Sequence, residues 1–477
     1  MDATYAPTAS LPLVVDLDGT LLLGDILHEQ IMRGLFRNPL RLLRCLGALR
    51  RGLIAFKSAL TAAFPLDVRG LPLRAPLIAW LRENRTFGRE LHLCTASRQE
   101  IADQFAAELG IFESATGSRE TNLKGEAKAK FLVGNFPGGF VYAGDSRADL
   151  AVWQHAAGVV LAGATQPVER AARRLGKPVE ASFPDQAYGI RDWLSALRLH
   201  HWSKNGLIFL PLILAHQWHD MHAAGRAALG FVAMVLMISC TYLINDLADL
   251  TADRAHWSKC HRAIAAGRIS IGAAFGFALT GIAIALISSF IISKAAVIAV
   301  AAYLVTTLGY SFGLKQIPLL DTFIIAFLFT LRLVIGTALG GLYYSEWLLA
   351  FSMTFFFSLA MAKRHSEILR AIGKGLTSAR GYRAEDTLVT GSLGISTGIG
   401  SCLILALFFA NSSFQHVVYQ HWHFLWAMPL FTGILIGRIW LLAQRGEMED
   451  DPVSFVLRDK ALLGLGALTA VVFLLAI

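Results

Sequence analysis

Two hydrophobic patterns divide the chain. Up to about Asp192, short apolar runs such as LPLVV (Leu11–Val15), ELHLCT (Glu90–Thr95) and GFVYAGDS (Gly139–Ser146) each end in polar residues. Between them lie helical stretches such as RQEIADQFAAELG, which closes on Gly110. Apolar runs this short, bounded by polar ends, read as buried parallel strands, and strand–helix alternation predicts a parallel sheet covered by helices. Beyond about Asn205 the runs lengthen. Nine apolar stretches fall at roughly 205–218, 227–244, 271–292, 295–314, 319–344, 347–362, 388–410, 424–443 and 461–477. Most reach the roughly 20 residues that a membrane-spanning helix needs; the first is short and contains His216.

Charge supports this division. Lysines and arginines crowd the loops near 249–270, 314–318, 363–387 and 444–460, whereas the opposite loops hold only Arg226 and Lys294. The bias puts the basic loops in the cytoplasm. The N-terminal stretch MDATYAPTAS lacks a basic region followed by an apolar core, so the front of the chain is expected on the same side. The expected organisation is an α/β Rossmann-like domain over 1–175 with a helical cap at about 25–90, a linker at 176–195, and an all-α polytopic domain of nine transmembrane helices over 196–477. The expected location is the inner membrane.

Composition narrows the classes further. The 477 residues are 55% hydrophobic and 16% charged, with a net charge of +9. These values exclude disordered and collagen-like chains. The basic excess accompanies long apolar runs, which points to lipid rather than nucleic acid. Five scattered cysteines without a CxxC pair suggest neither a disulfide framework nor a zinc site.

The first strand ends in Asp16-Leu17-Asp18-Gly19-Thr20. Carboxylates two residues apart in extended chain point the same way. One can attack phosphorus while the other moves a proton, since carboxylate nucleophiles form aspartyl-phosphates. Thr95, at the end of a second strand, can donate to a phosphoryl oxygen, and Lys124 can neutralise growing charge. Asp145 and Asp149 offer the hard oxygen ligands that Mg²⁺ prefers. Over about residues 11–165 this set resembles the phosphatase-like branch of the haloacid dehalogenase (HAD) superfamily. The resemblance implies Asp16 as nucleophile and Asp18 as general acid/base. It also implies Thr95 and Lys124 as phosphate ligands, and Asp16, Asp145 and Asp149 around Mg²⁺. In the cap, Arg33, Arg37, Arg41, Arg44 and Arg51 recur near one helical stripe, with leucines mostly elsewhere. Such a helix suits either an anionic lipid surface or a plain solvated face.

The second span runs into Asn245-Asp246-Leu247-Ala248-Asp249-Leu250-Thr251-Ala252-Asp253. At about 100° per residue, these three aspartates and Asn245 share an arc of roughly 100°. Carboxylates on one face at the end of a span call for a cation, and Mg²⁺ carrying a diphosphate is the natural partner. Basic and polar groups on the same predicted side accompany them: Lys204, Asn205, Arg262, Tyr310, Lys315, Lys363 and Arg364. Arg332 is an intramembrane charge, open to a site role or to a pair with Asp321 on its own helix.

The NDxxDxxxD pattern on these spans resembles the UbiA superfamily of intramembrane prenyltransferases, over about residues 192–477. Trp202-Ser203-Lys204-Asn205, YSFGLK and Ala362-Lys363-Arg364 look like the branch typified by decaprenyl-phosphate phosphoribosyltransferase. That branch moves 5-phosphoribose from phosphoribosyl diphosphate (PRPP) to a polyprenyl phosphate. The second region offers Asp321 alone, with no further acid three or four residues on, unlike the paired clusters of enzymes that bind a prenyl diphosphate. The resemblance implies that Asn245, Asp246, Asp249 and Asp253 handle Mg²⁺ and PRPP, with Lys315 and Lys363 on phosphates. The expected function is therefore phosphoribosyl transfer followed by hydrolysis of a phosphate monoester. Two alternatives stay open: aromatic prenylation with an independent phosphatase, and a silent front domain.

Overall fold

The computed structural model describes residues 10–185, 189–373, 381–411, 419–448 and 459–477; the side chains of His200, His201 and Asn411 are outside the description. The chain divides into two compact units. One is Met1–Leu197 with Tyr242–Ala278, and the other is Arg198–Thr241 with Leu279–Ile477.

The first unit is built on six parallel strands: β1 Leu13–Val15, β2 Leu91–Arg98, β3 Ser114–Ser118, β4 Val141–Gly144, β5 Gly158–Ala162 and β6 Val179–Phe183. Their order is β3-β2-β1-β4-β5-β6. Side chains alternate across a strand, and both faces are apolar here. Leu13, Val15, Val141 and Ala143 pack with Leu77, Leu81 and Phe105 on one face. Val14, Tyr142, Val159 and Leu161 pack with Leu132 and Trp153 on the other. A sheet covered on both faces needs continuous apolar strands, which the short runs supply. The chain winds outward from β1 through β2 to β3, then returns to β4 on the other side of β1. That reversal opens a crevice beyond the carboxyl ends of β1 and β4.

Between β1 and β2 the cap region holds α1 Ile26–Arg37, α2 Pro39–Leu46, α3 Leu53–Ala63 and α4 Ala75–Thr86. The expected single basic stripe is interrupted. Asn38 closes α1 and caps α2, accepting the Arg41 N–H at 3.0 Å, and Pro39 starts the new helix. Proline lacks the N–H that a continuous helix would need there. Two boundaries also differ from expectation. The segment 176–195 carries β6 and the helix Ile190–Ala196 rather than only a linker. Tyr242–Ala278, expected with the membrane helices, packs with the sheet-containing unit.

Among the described residues, six helices are long and apolar enough to cross a membrane: Met221–Ala248, Ile271–Ile292, Lys294–Phe312, Leu320–Gly340, Ala384–Ala410 and Trp422–Gln444. The other three apolar stretches take different forms. The first is a 3₁₀ segment, Leu199–Phe209, followed by the short helix Leu210–Leu214 with Pro211 in its first turn. Gly336 admits this segment, because a Cβ there would collide with the Ile208 carbonyl. The stretch at 347–362 lies in the helix Glu346–Gly373, which runs on through Lys363 and Arg364 where a loop was expected. The last is the 17-residue helix Lys460–Ala476.

Candidate active sites

The crevice at the β1 and β4 ends gathers the first constellation. Among the described residues, Asp16, Asp145 and Asp149 form one group whose ligand oxygens lie within 4.8 Å of one another. The backbone holds them there. The Asp16 N–H donates to the Ala143 carbonyl at 3.0 Å, which extends the β1–β4 ladder by one step. Gly19 has a φ of +78°, and a Cβ on it would strike the Asp145 carboxylate, so glycine is required where that carboxylate crosses the loop. Buried Arg74 ties the same loop down, donating to the Thr20 and Gly19 carbonyls at 2.8 Å each. Asp149 accepts from the Ser146 N–H at 2.9 Å, Ser146 Oγ at 2.7 Å and Tyr142 Oη at 2.9 Å.

The cation facing this group is Lys128. Its Nζ lies 2.9 Å from Asp16 Oδ1 and donates to Tyr142 Oη at 2.9 Å, and its side chain is 2% exposed. Lys124, selected from the sequence, sits just before the helix Glu126–Asn135, exposed but on the rim of the same cavity. Sequence reasoning missed Lys128 and Tyr142. The pair Lys124/Lys128 is one helical turn apart, and only the fold decides which of them meets Asp16.

Asp18 is held differently from Asp16. It accepts the Ile26 N–H at 2.8 Å, at the start of the cap, and Ser97 Oγ at 2.7 Å. Thr95 is fully buried in β2 and accepts the Ser97 N–H at 3.0 Å. Burial, then the nearby Asp25 charge, pushes the Asp18 carboxyl up to about 7. Burial, then Asp149 and Asp16, pushes Asp145 up to about 8. Asp16 is also raised by burial, against the opposing pull of Lys128. Among the described residues Lys128 is the lysine paired directly with this trio of carboxylates, and their all-oxygen donor set fits a hard divalent cation.

The cavity over this group has a volume of about 490 Å³. That is far more than a phosphate alone fills and lies within the range of small-molecule sites. Lys57 of α3 enters it and is tethered to the sheet side through the Ala96 carbonyl at 2.7 Å and Asn122 Oδ1 at 3.2 Å. The opposite wall comes from later in the chain: Arg254, Gly267, Ile269 and Ser270. This wall is built in. Arg254 forks onto Glu29 of α1 at 3.0 and 2.6 Å, with both side chains buried, and its Nε donates to the Ala265 carbonyl at 3.2 Å. Gly267 has a φ of +72°, and a Cβ there would lie 2.9 Å from Leu23 and 3.1 Å from Pro72. Arg268 pairs with Asp192 at 3.0 Å.

The second constellation occupies the same unit. The long helix ends at Ala248, and Asp249, with φ −88° and ψ 5°, starts the short helix Leu250–Ala255. Asp246 and Asp253 are buried and share one guanidinium: Arg262 Nη1 is 3.1 Å from Asp246 Oδ1 and 2.6 Å from Asp253 Oδ2. Lys259 Nζ stands 3.9 Å from Asp253. Asn245 donates to Asp249 at 3.2 Å. Arg262 thus reaches Asp246 and Asp253 across the break in the helix at Asp249, where the spacing in the sequence predicts one continuous helix. The three aspartates are not drawn together as tightly as Asp16, Asp145 and Asp149.

In the other unit, buried Arg332 donates to Asn205 Oδ1 at 3.0 Å, to the Leu328 carbonyl at 2.7 Å and to Tyr303 Oη at 2.8 Å. The Arg332–Asp321 pair considered from the sequence is not formed. Eleven residues of helix span about 16 Å, beyond the reach of these side chains. Asp321 instead meets Arg364 at 2.6 Å and accepts from Tyr382 Oη at 2.7 Å. Lys204 borders a cavity of about 370 Å³ lined by Leu207, Leu210, Ile213, Phe329 and Phe356. Tyr310, Lys315 and Lys363 are half-buried and all have interaction partners. Tyr303 and Tyr382 carried no signal in the sequence, because each is defined only by the buried group it meets.

Comparison with known proteins adds to this geometry. A model of the UbiA prenyltransferase family matches residues 207–458. An uncharacterized protein, y4nM, of Sinorhizobium fredii is 43% identical over 98% of this chain and 91% of its own length. Nodulation protein NoeC of Azorhizobium caulinodans is 29% identical over 59% of this chain and 93% of its own. The decaprenyl-phosphate phosphoribosyltransferase of Corynebacterium glutamicum is 34% identical over 37% of this chain and 54% of its own.

Proposed function

This chain belongs to the UbiA prenyltransferase family and is a multi-pass membrane protein, and from that premise we propose that it transfers 5-phosphoribose from PRPP to a polyprenyl phosphate and then removes the 5-phosphate. Similarity to proteins named decaprenyl-phosphate phosphoribosyltransferase supports the first step. A lipid phosphate oxygen attacks the anomeric carbon of the ribose, and the bond from that carbon to the diphosphate breaks. Asp246, Asp249 and Asp253 would hold Mg²⁺ in the transferase site, and Asp16, Asp145 and Asp149 in the hydrolase site. When bound, the ion supplies Lewis-acid neutralisation of phosphate charge. In the transferase site Arg262, already bound to two of the three acids, would turn to the diphosphate as it leaves. Lys204, Lys315 and Lys363 are assigned to phosphates and Arg332 to holding Asn205. In the hydrolase, Asp16 attacks phosphorus and the ester oxygen leaves with a proton from Asp18. Asp18 then takes a proton from the water that cleaves the aspartyl-phosphate. Lys128 favours the ionised form of Asp16 against the effect of burial, and Thr95 and Lys124 contact the phosphoryl group. Nine spans, an inner-membrane location and cytoplasmic sites complete the reading.

The observation that carries it is a pair of neighbours in the chain. Asp253 is gripped by Arg262 as part of the acid stripe, while Arg254, next to it, is forked onto Glu29 of the hydrolase cap and lines the hydrolase cavity. The segment that carries the transferase acids is thus a wall of the hydrolase site. A second observation weighs against aromatic prenylation. Asp321 has one oxygen on Arg364 and the other on Tyr382, and among the described residues the other acid on Arg364 is Glu367 of the same helix as that arginine, an arrangement unlike the stripe of three aspartates after Asn245.

Membranes incubated with labelled PRPP and polyprenyl phosphate test the proposal. Wild type is expected to yield a ribosyl lipid, and Asp16→Asn a phosphoribosyl lipid. No labelled lipid in either favours aromatic chemistry, and the same lipid in both makes the front domain silent.

A further inference from the structure

The cap carries a surface that neither reaction explains. α2 has two apolar faces. Leu42 and Cys45 turn inward onto Phe56, Leu60 and Phe64. Leu40 and Leu43 turn outward, 70% and 61% exposed, and Leu46, Leu49 and Leu53 continue the exposed row. Single exposed leucines are ordinary, but five within fourteen residues of chain concentrate apolar exposure that a soluble surface rarely keeps. The stretch that carries it is cationic: from Arg37 to Arg51 the chain contains Arg37, Arg41, Arg44, Arg50 and Arg51, all exposed, with no aspartate or glutamate.

We propose that this leucine–arginine face of the cap rests on the headgroup layer of an anionic bilayer. Three observations choose lipid over a protein partner. The exposed apolar residues are all aliphatic leucines, whereas protein hot spots favour Trp and Tyr and under-use Leu. The flanking charges are of one sign, complementary to phosphatidylglycerol-type lipid, and each adds attraction near such a surface. The chain is itself embedded in a bilayer, so the partner is always present. Leucine tips sink into the acyl boundary while arginine stems lie along it with their guanidinium groups at phosphate level. Leu53 belongs to both the patch and the lining of the hydrolase cavity. The patch therefore sets one edge of the cavity mouth at the lipid surface, where a phosphate monoester on a lipid anchor can enter without leaving the membrane. The docking itself does not rest on the proposed hydrolysis.

Depth-dependent quenching tests it on the full chain in nanodiscs. Half-buried Cys260 and Cys402 are replaced by serine, and an environment-sensitive fluorophore is placed at Leu43→Cys or, as control, at exposed Glu83→Cys on α4. Doxyl lipid is expected to quench the label at 43 and spare that at 83. The difference should grow by about twofold when phosphatidylglycerol replaces part of the phosphatidylcholine. A second variant, Leu40→Ser with Leu43→Ser and the label at Leu49→Cys, is expected to lose quenching while its melting temperature stays within about 2 °C. Equal quenching at 43 and 83 would overturn the proposal. So would a label at 43 that responds only to protein density, since that marks contact with a second copy.

Discussion

The two acid clusters of the first unit solve the same electrostatic problem in opposite ways. Asp16, Asp145 and Asp149 come from two strand ends and the turn that follows, converge within 4.8 Å, and meet one lysine. Asp246 lies at the end of one helix, Asp249 in the turn that follows and Asp253 in the next short helix; they stay further apart, and two of the three carboxylates are bridged by Arg262. A sheet crevice focuses charge because loops from different strands end at one point. A helix can only line charges up, and the 5.4 Å pitch keeps them a turn apart. Each cluster meets a cation of its own chain, but Lys128 pairs with one of the three converging acids, whereas Arg262 bridges two of the three strung-out ones.

The sharpest break between the clusters is a double dissociation. Asp16→Asn should lower phosphate release from p-nitrophenyl phosphate by about 10⁴-fold and leave label transfer from PRPP unchanged. Asp249→Asn should lower label transfer by about 10³-fold and leave phosphate release within about twofold. Loss of both activities in either variant would show one shared site rather than two.

Next in size is Lys128→Met. It leaves Asp16 buried without its cation, and breaking a buried pair costs about 3 kcal/mol or more. Urea unfolding should show that loss, with part of it restored by Mg²⁺, which replaces the missing charge; a melting curve indifferent to Mg²⁺ would put the cation elsewhere. Arg254→Ala removes the fork onto Glu29 and is expected to cost about 3 kcal/mol. The exchanged pair Glu29→Arg with Arg254→Glu should recover most of it. Lipid analysis of Arg254→Ala should show phosphoribosyl lipid building up, because the cavity wall has come loose; an unchanged product ratio would remove Arg254 from the hydrolase site. The smallest effect belongs to Lys124→Ala. Its exposed side chain should raise KM for a phosphate ester by about tenfold with kcat little changed, and a collapse of kcat would move it to the role given to Lys128.

Much of this site was legible because its elements are local. The run into Asp16-Leu17-Asp18-Gly19 announces a strand end, which the structure holds; the spacing of Asp246 and Asp253 predicts one face of a continuous helix, which the structure breaks at Asp249. Legibility failed where a choice depended on distant chain. Lys128 and Lys124 differ only in which side of a helix start they occupy, and Asp16, more than 100 residues earlier, selects between them. Asp321 offered a partner on its own helix in Arg332, yet its partner is Arg364, 43 positions away on another helix. Basic residues near a span end read as membrane anchors; Arg364 is instead fully buried in an ion pair.

Sequence alone determined the parallel α/β front, the lipid-spanning character of the rest, and the two sets of aspartates. These follow from hydrophobic period and from carboxylate spacing, both properties of a few adjacent residues. Only the tertiary structure decided which cation meets each acid, that β6 completes the sheet, and that the segment after Asp253 walls the cavity over Asp16. Those outcomes depend on where remote segments come to rest when buried charge must find a partner, and no local pattern encodes that search.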